Sequence, residues 1–221
     1  MSRPLIAFAS IVLACLVAMP AVAADRGWHL RVFAAGFDPD LDVLVPAENP
    51  DVVRVIADSD LGFGASLEYR FSDLLGVELG LMQADPEIEL GADVPGYGHL
   101  SLTDSMSTQV ITLDLDVHLT PGSEWFDVTV GGGIANVGYG NLHYIDPDGD
   151  PLDIDVDDDL TYSVKAGLDI ALGSGSRWAA TGSVRYLWSD LEVTQRQEID
   201  GGSETFDFDM FHFTVGIAYT F

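Results

Sequence analysis

Between Leu61 and Leu81 the sequence changes character at almost every residue. Leu61, Phe63, Ala65, Leu67, Tyr69 and Phe71 are apolar, while Gly62, Gly64, Ser66, Glu68 and Arg70 are small or charged. A strand sends successive side chains to opposite faces, so the pattern specifies one apolar face and one polar face. After a turn at Ser72-Asp73 it resumes with Val77, Leu79 and Leu81 against Gly76, Glu78 and Gly80. Six further segments behave alike, around residues 28–33, 111–119, 126–134, 160–170, 178–188 and 211–221. No Asp, Glu, Lys or Arg falls on the apolar phase of these eight stretches. The polar phase is rich in Gly, Ser, Thr and Ala, which suits a crowded interior. A soluble sandwich also alternates, but its polar face is usually rich in Lys and Glu. The pattern therefore predicts an all-β fold, an eight-stranded antiparallel transmembrane β-barrel with its apolar face outward.

The remaining apolar sequence fits that reading. Leu5 to Met19 form a run too short for a spanning helix. Arg3 precedes it, Pro20 breaks it, and Ala21-Val22-Ala23 follows with the small-x-small cleavage pattern. Residues 1–23 are thus expected to be a signal peptide and 24–221 the barrel domain. A lipobox at Val12–Cys15 is the rival reading, and the continuation of the apolar run past Cys15 argues against it. Cleavage removes the single cysteine, as suits an oxidising compartment. Beyond Ala24 no run of 18 apolar residues occurs. A membrane protein without helices must be a closed barrel, because only these two structures satisfy the backbone in lipid.

Connections, aromatics and charges sort accordingly. Ser72–Leu75, Thr120–Glu124 and Gly173–Arg177 are short, whereas about 36–60, 86–105, 140–159 and 190–205 are long and read as extracellular loops. Trp28, Tyr69, Phe71, Trp125, Phe126, Trp178, Tyr219 and Phe221 are expected in a periplasmic girdle. Phe63, Tyr139, Tyr162, Tyr186, Trp188, Phe211 and Phe213 are expected in an outer one. With their strand edges, the long connections hold 27 of the 36 acids in a chain of net charge −27. That balance excludes nucleic acid as a partner, since phosphate binding needs Lys and Arg. Eight acids between Asp146 and Asp159 lack the spacing of an EF-hand loop and read as a solvated segment rather than a Ca²⁺ site.

Inside the barrel the inner phase carries Arg31, Glu68, Arg70, Glu78, Asp114, Asp116, Asp127, Lys165, Asp169 and Arg185. Opposite charges in a narrow lumen are expected to pair. Extended toward the outer mouth, the same phase places Phe33, Met82, Leu187, Phe206, Phe208 and Met210 where an apolar solute could be received, or where they plug the mouth, unless a bulge near Asp207 and Asp209 inverts the register. His118 and His212 lie on the inner phase and His99 and His143 in loops, none within a nucleophile motif, so no enzyme, cofactor or metal site is expected.

LGFGASLEYRFSDLLGVELGL (61–81), Trp28 and Arg31 followed by Phe37-Asp38-Pro39, the glycine run 131–133, KAGLDIAL (165–172) and SVRYLWSD (183–190) together resemble the OmpW family of small outer-membrane barrels. The terminal TVGIAYTF, with Gly216, Tyr219 and Phe221, looks like the signal read by the outer-membrane assembly machinery. The resemblance implies the outer membrane of a Gram-negative cell, contact with lipid and lipopolysaccharide, and binding or passage of small hydrophobic molecules through a narrow lumen. The alternative is a structural barrel that displays acidic loops to partners or divalent cations, with no transport role. The very acidic loops depart from the family, so receptor roles carried by its loops do not transfer. Intact mass of the membrane-extracted protein should place the N-terminus at or near Ala24; a lipid-modified Cys15 would overturn the assignment of residues 1–23.

Overall fold

The computed structural model describes residues 27–46, 52–94, 98–145, 151–195 and 203–221. Cys15, Ala21-Val22-Ala23 and the acidic stretch 146–150 lie outside them. The described residues form sixteen strands: β1 (Trp28–Pro39), β2 (Asp42–Pro46), β3 (Val52–Ala57), β4 (Asp60–Arg70), β5 (Leu75–Ala84), β6 (Glu87–Val94), β7 (Gly98–Ser105), β8 (Thr108–His118), β9 (Phe126–Tyr139), β10 (Leu142–Ile145), β11 (Pro151–Val156), β12 (Asp159–Ala171), β13 (Trp178–Trp188), β14 (Asp190–Gln195), β15 (Ser203–Asp207) and β16 (Met210–Thr220). The eight long strands close an antiparallel barrel in the order β1-β4-β5-β8-β9-β12-β13-β16, with β16 returning to β1. Closure pairs His29–Pro39 with Met210–Thr220. At the periplasmic rim the Phe221 N–H donates to the Trp28 carbonyl at 3.0 Å. Among the described residues no helix is long and apolar enough to cross a membrane.

The expected phases hold through the barrel. Leu79, Leu113, Leu115, Ile134, Val164, Val184, Val215 and Ile217 are exposed on its outer face, while Glu78, Asp114, Ser163, Arg185 and Thr214 are buried inside. Exposure of this kind is ordinary where the solvent is lipid. The periplasmic aromatics form contacts along the rim, Trp28 on Tyr69 at 4.8 Å, Trp178 on Tyr219 at 4.7 Å and Tyr219 on Phe221 at 5.0 Å between ring centroids. Near the outer end Tyr186 meets Trp188, and Phe211 meets Phe213. Tyr139 departs from the expected girdle: it is buried, and its hydroxyl lies 2.7 Å from Ser189 Oγ inside the mouth. It shares the phase of Thr129, Ala135 and Val137, all buried, and parity along β9 fixes its direction.

The long connections are not open loops. Each barrel strand breaks for one or two residues and continues as a shorter strand. The extensions of β1, β4, β5 and β8 form one four-stranded sheet, β2-β3-β6-β7; those of β9, β12, β13 and β16 form another, β10-β11-β14-β15. Their acids occupy outer faces and alternate with inward aliphatics. Asp42 is exposed beside partly buried Val43, Glu87 is exposed beside buried Ile88, and Glu192 is exposed beside buried Leu191. The inward residues of both sheets join one buried apolar cluster with Leu41, Ile88, Met106, Leu142, Tyr144, Ile154, Val156 and Leu191. Apolar burial on one face and hydrated carboxylates on the other make these segments sheets.

Glycines let the narrow lumen accept its side chains. A Cβ on Gly131 would run into the Asp116 carboxylate, and one on Gly216 would strike Phe33. Replacing Leu79 or Leu115, both on the lipid face near mid-strand, by Arg should each cost about 2–4 kcal/mol, the usual penalty for a basic residue at the bilayer midplane. Unfolding equilibria in lipid vesicles measure this, and unchanged stability in both variants would contradict the register.

Candidate functional site

Two layers fill the lumen. The periplasmic half is ionic. Arg31, buried on β1, reaches three carboxylates: Glu68 at 2.8 Å, Glu78 at 2.6 Å and Asp169 at 2.8 Å. Arg70 meets Glu68 at 3.2 Å and Asp127 at 2.6 Å. Lys165 bridges Glu78 and Asp116, the latter at 2.8 Å. Arg185 grips Asp114 through both terminal nitrogens, at 3.0 and 2.6 Å, and contacts Ser163 Oγ at 2.7 Å. All nine charged residues expected in the lumen network, and Asp127, are thus connected. The sequence reading did not include His118, whose Nε2 lies 2.6 Å from Glu68 and whose Nδ1 lies 2.8 Å from Asp127. Its place on the inner phase was visible; Asp127, nine residues away, meets it within the β8–β9 hairpin, and Glu68, 50 residues away, comes from β4, two strands along the sheet.

The strands place these groups in tiers because cross-strand register is strict. Glu68 pairs with Glu78, and Glu78 with Asp114. Lys165 pairs with Arg185 on one side and with Gly131 on the other. Like-charged neighbours are thereby interleaved with opposite charges from across the lumen. Glu68, Glu78 and Asp116 come close enough to share a cation, but Arg31 and Lys165 already occupy the space between them. Burying these ions is repaid only while partners are complete.

The outer half is apolar. Met82, Leu187, Phe208 and Met210 are buried, and Phe33 and Phe206 pack against the same cluster, so all six residues expected at the mouth belong to one assembly. Phe37, Val110, Ala135, Val137 and Tyr139 complete it and were not named from sequence as lining residues. The inward parity of β16 runs unbroken from Phe206 through Phe208, Met210 and His212 to Thr214, with no register inversion at Asp207 or Asp209. The mouth is filled by the chain's own side chains.

Between the layers a cavity of about 30 Å³ is lined by Phe33, Met82, Thr112, Lys165, Arg185 and Thr214, among others. This is room for two or three water molecules. Thr112 Oγ1 and Asp116 Oδ1 are buried without a protein partner. On the lipid side of the same wall, an open groove of about 570 Å³ runs over β12, β13 and β16. Gly167, Thr181, Gly182, Ser183 and Thr214 border both spaces, so only small side chains and backbone separate lumen from lipid there.

His118 meets carboxylates, His143 meets Asp153, and His29 Nδ1 lies 3.0 Å from Thr220 Oγ1. The terminal residues Tyr219 and Phe221 lie in the periplasmic girdle, and Gly216 backs onto Phe33.

Arg31 is the hub of the ionic layer. Arg31→Met should cost about 3–5 kcal/mol, because buried Glu68 and Glu78 and partly buried Asp169 lose a shared cation. Urea unfolding of the barrel in lipid vesicles reads this out, and an effect below about 1 kcal/mol would show that the layer is hydrated and loosely coupled.

The fold has solved counterparts. The crystal structure of the outer membrane protein OprG from Pseudomonas aeruginosa superposes with a TM-score of 0.70 at 18% identity, covering 89% of this chain and 96% of that one. The solid-state NMR structure of outer membrane protein AlkL in lipid bilayers gives 0.64 at 18% identity, covering 92% and 95%. Ail, the attachment invasion locus protein of Yersinia pestis, gives 0.53 at 13%, covering 90% and 100%. No curated protein matches the sequence. Residues 8–221 match the family described as outer membrane protein beta-barrel domain. The chain, an eight-stranded barrel with an ion-paired lower lumen and an apolar upper one, belongs to that outer-membrane family.

Proposed function

We propose that the barrel binds small hydrophobic molecules in its outer lumen and releases them sideways into the membrane. The observation that carries this reading is the division of the wall above the barrel. The ladder that encloses the lower lumen is continuous, but its extensions belong to two separate sheets. Parting these sheets would expose the apolar cluster without breaking a strand pairing within either one. An apolar solute would gain roughly 25 cal/mol per Å² of surface buried there.

The two seams between the sheets differ. Beside β8 and β9, Gly140 N–H donates to the Ser107 carbonyl at 2.7 Å, His143 N–H to Asp104 at 2.7 Å, and Tyr144 hydroxyl to the Ile88 carbonyl at 3.2 Å. Beside β1 and β16, the backbone tie is Asp40 N–H to the Asp209 carbonyl at 2.8 Å. Above that tie β2 and β15 belong to different sheets, as β7 and β10 do at the first seam. This second seam is the one assigned to opening.

Below the apolar cluster, the ionic layer opposes straight passage to the periplasm, since an apolar solute would have to displace paired buried charges. The β1–β16 seam offers the lateral route, because the ladder over β12, β13 and β16, though thin, is continuous. The resemblance to OmpW proteins in sequence and the superposition on OprG and AlkL agree with a barrel of this type.

A reversible lock tests the reading. Asp40 and Asp209 follow the last β1–β16 pair, Pro39 with Met210, and are joined by the Asp40 N–H bond to the Asp209 carbonyl; residues so placed across an antiparallel ladder have Cα atoms about 5.5 Å apart, within the range of a disulfide. Asp40→Cys with Asp209→Cys should, when oxidised, lower uptake of a hydrophobic dye by cells to the level of a strain lacking the protein. Reductant should restore it. Equal uptake by wild type, locked variant and the strain lacking the protein would end the passage reading, and full uptake by the locked barrel would reject opening at this seam.

A further inference from the structure

His212 is fully buried on β16, and neither ring nitrogen has a hydrogen-bond partner in the structure. Its ring lies on Phe37, with centroids 4.1 Å apart. Across the β13–β16 ladder it faces Arg185, whose guanidinium is committed to Asp114 and Ser163. The next inward residues on its own strand are Met210 above and Thr214 below, and the Thr214 hydroxyl pairs with Ser183 at 2.6 Å. His212 therefore forms the floor of the apolar cluster, with two unused polar atoms at its junction with the ionic layer. Phenylalanine would fill the same position without leaving buried polar atoms unsatisfied. A histidine here has a use only when something brings it a partner.

We propose that His212 recognises the polar end of the transported molecule, and that this molecule is an apolar chain or ring bearing one neutral hydroxyl or carbonyl oxygen. The inference rests on the passage reading and names its substrate class. A neutral imidazole offers one donor and one acceptor, and a hydroxyl complements either. A carboxylate is disfavoured because Asp114 and Glu78 crowd the ionic layer around Arg185. A cationic group is disfavoured by Arg185 itself. A pure hydrocarbon would leave both nitrogens unpaired. The apolar tail would lie above, among Phe37, Phe208 and Met210.

The test uses the mature barrel, labelled with ¹⁵N-histidine and placed in lipid nanodiscs, with 1-decanol and n-decane as probes. The His212 ring signals are those missing from a folded His212→Phe variant, whose folding is checked by heat-dependent mobility on gels. Decanol should shift these signals and decane should leave them in place. In cells, His212→Phe should lower the ratio of decanol to decane uptake about three- to tenfold, the worth of one hydrogen bond. Wild-type uptake of decanol without movement of the His212 signals would overturn this inference and leave passage standing. Movement of the signals by decanol, with uptake no greater than in a strain lacking the protein, would keep the binding site and overturn passage. Equal shifts by decanol and decane would reject His212 as a polar contact.

Discussion

Backbone hydrogen bonding in a solvent that offers none is the constraint on which the structure depends. Inside hydrocarbon every N–H and C=O must find a partner in the protein, and eight antiparallel strands do this by closing on themselves. Closure fixes parity, and parity fixes which side chains meet. A one-residue slip of β5 against β8 would carry Glu78 into lipid and Leu79 into the lumen. The apolar exterior and the charged interior are thus two expressions of one register.

A barrel of eight strands leaves an interior that side chains nearly fill, and the two ends fill it by different physics. Toward the periplasm, carboxylates and guanidinium groups neutralise one another through direct contacts, with Arg31 at the centre of Glu68, Glu78 and Asp169. Toward the outside, aromatic and aliphatic side chains exclude water. Each filling suits what surrounds it. The ionic layer is enclosed by a ladder that does not part, which keeps its geometry fixed. The apolar layer rises between two sheets that have independent ladders. Glycine supplies the missing space: the run 131–133 lets Asp116 stand against β9, which a side chain at Gly131 would prevent.

The barrel was legible in the sequence because period-two alternation is a local signal, and the lumen charges followed from it by parity alone. The mouth residues Met82, Leu187, Phe208 and Met210 were found by extending the same parity. The outer sheets were not recognised, although Glu87-Ile88-Glu89-Leu90 and Asp153-Ile154-Asp155-Val156 alternate as cleanly as any barrel strand. Their acids read as solvated loop because the density of charge masked the interleaved aliphatics. His118 and Phe37 illustrate a different limit. Parity gives the direction of a side chain, but the bridge from His118 to Glu68 depends on which strands lie within reach of one another, and the stacking of Phe37 on His212 depends on the closing pair β1–β16.

The two outer sheets follow the order of the chain. One is built wholly from residues before the turn at 119–125 and the other wholly from residues after it. Each half of the polypeptide therefore carries four barrel strands and the complete sheet above them. For a gene, this makes the periplasmic turn 119–125 a natural crossover point. Recombination there would exchange an entire outer face in one step and leave every strand pairing inside each sheet intact. What must be preserved between parents is the two seams, at β1–β16 and β8–β9, and the lumen ion pairs that join the halves, such as Arg31 with Asp169 and Arg185 with Asp114. The cell surface can then vary by halves, while the membrane-spanning register that both halves share stays under common constraint.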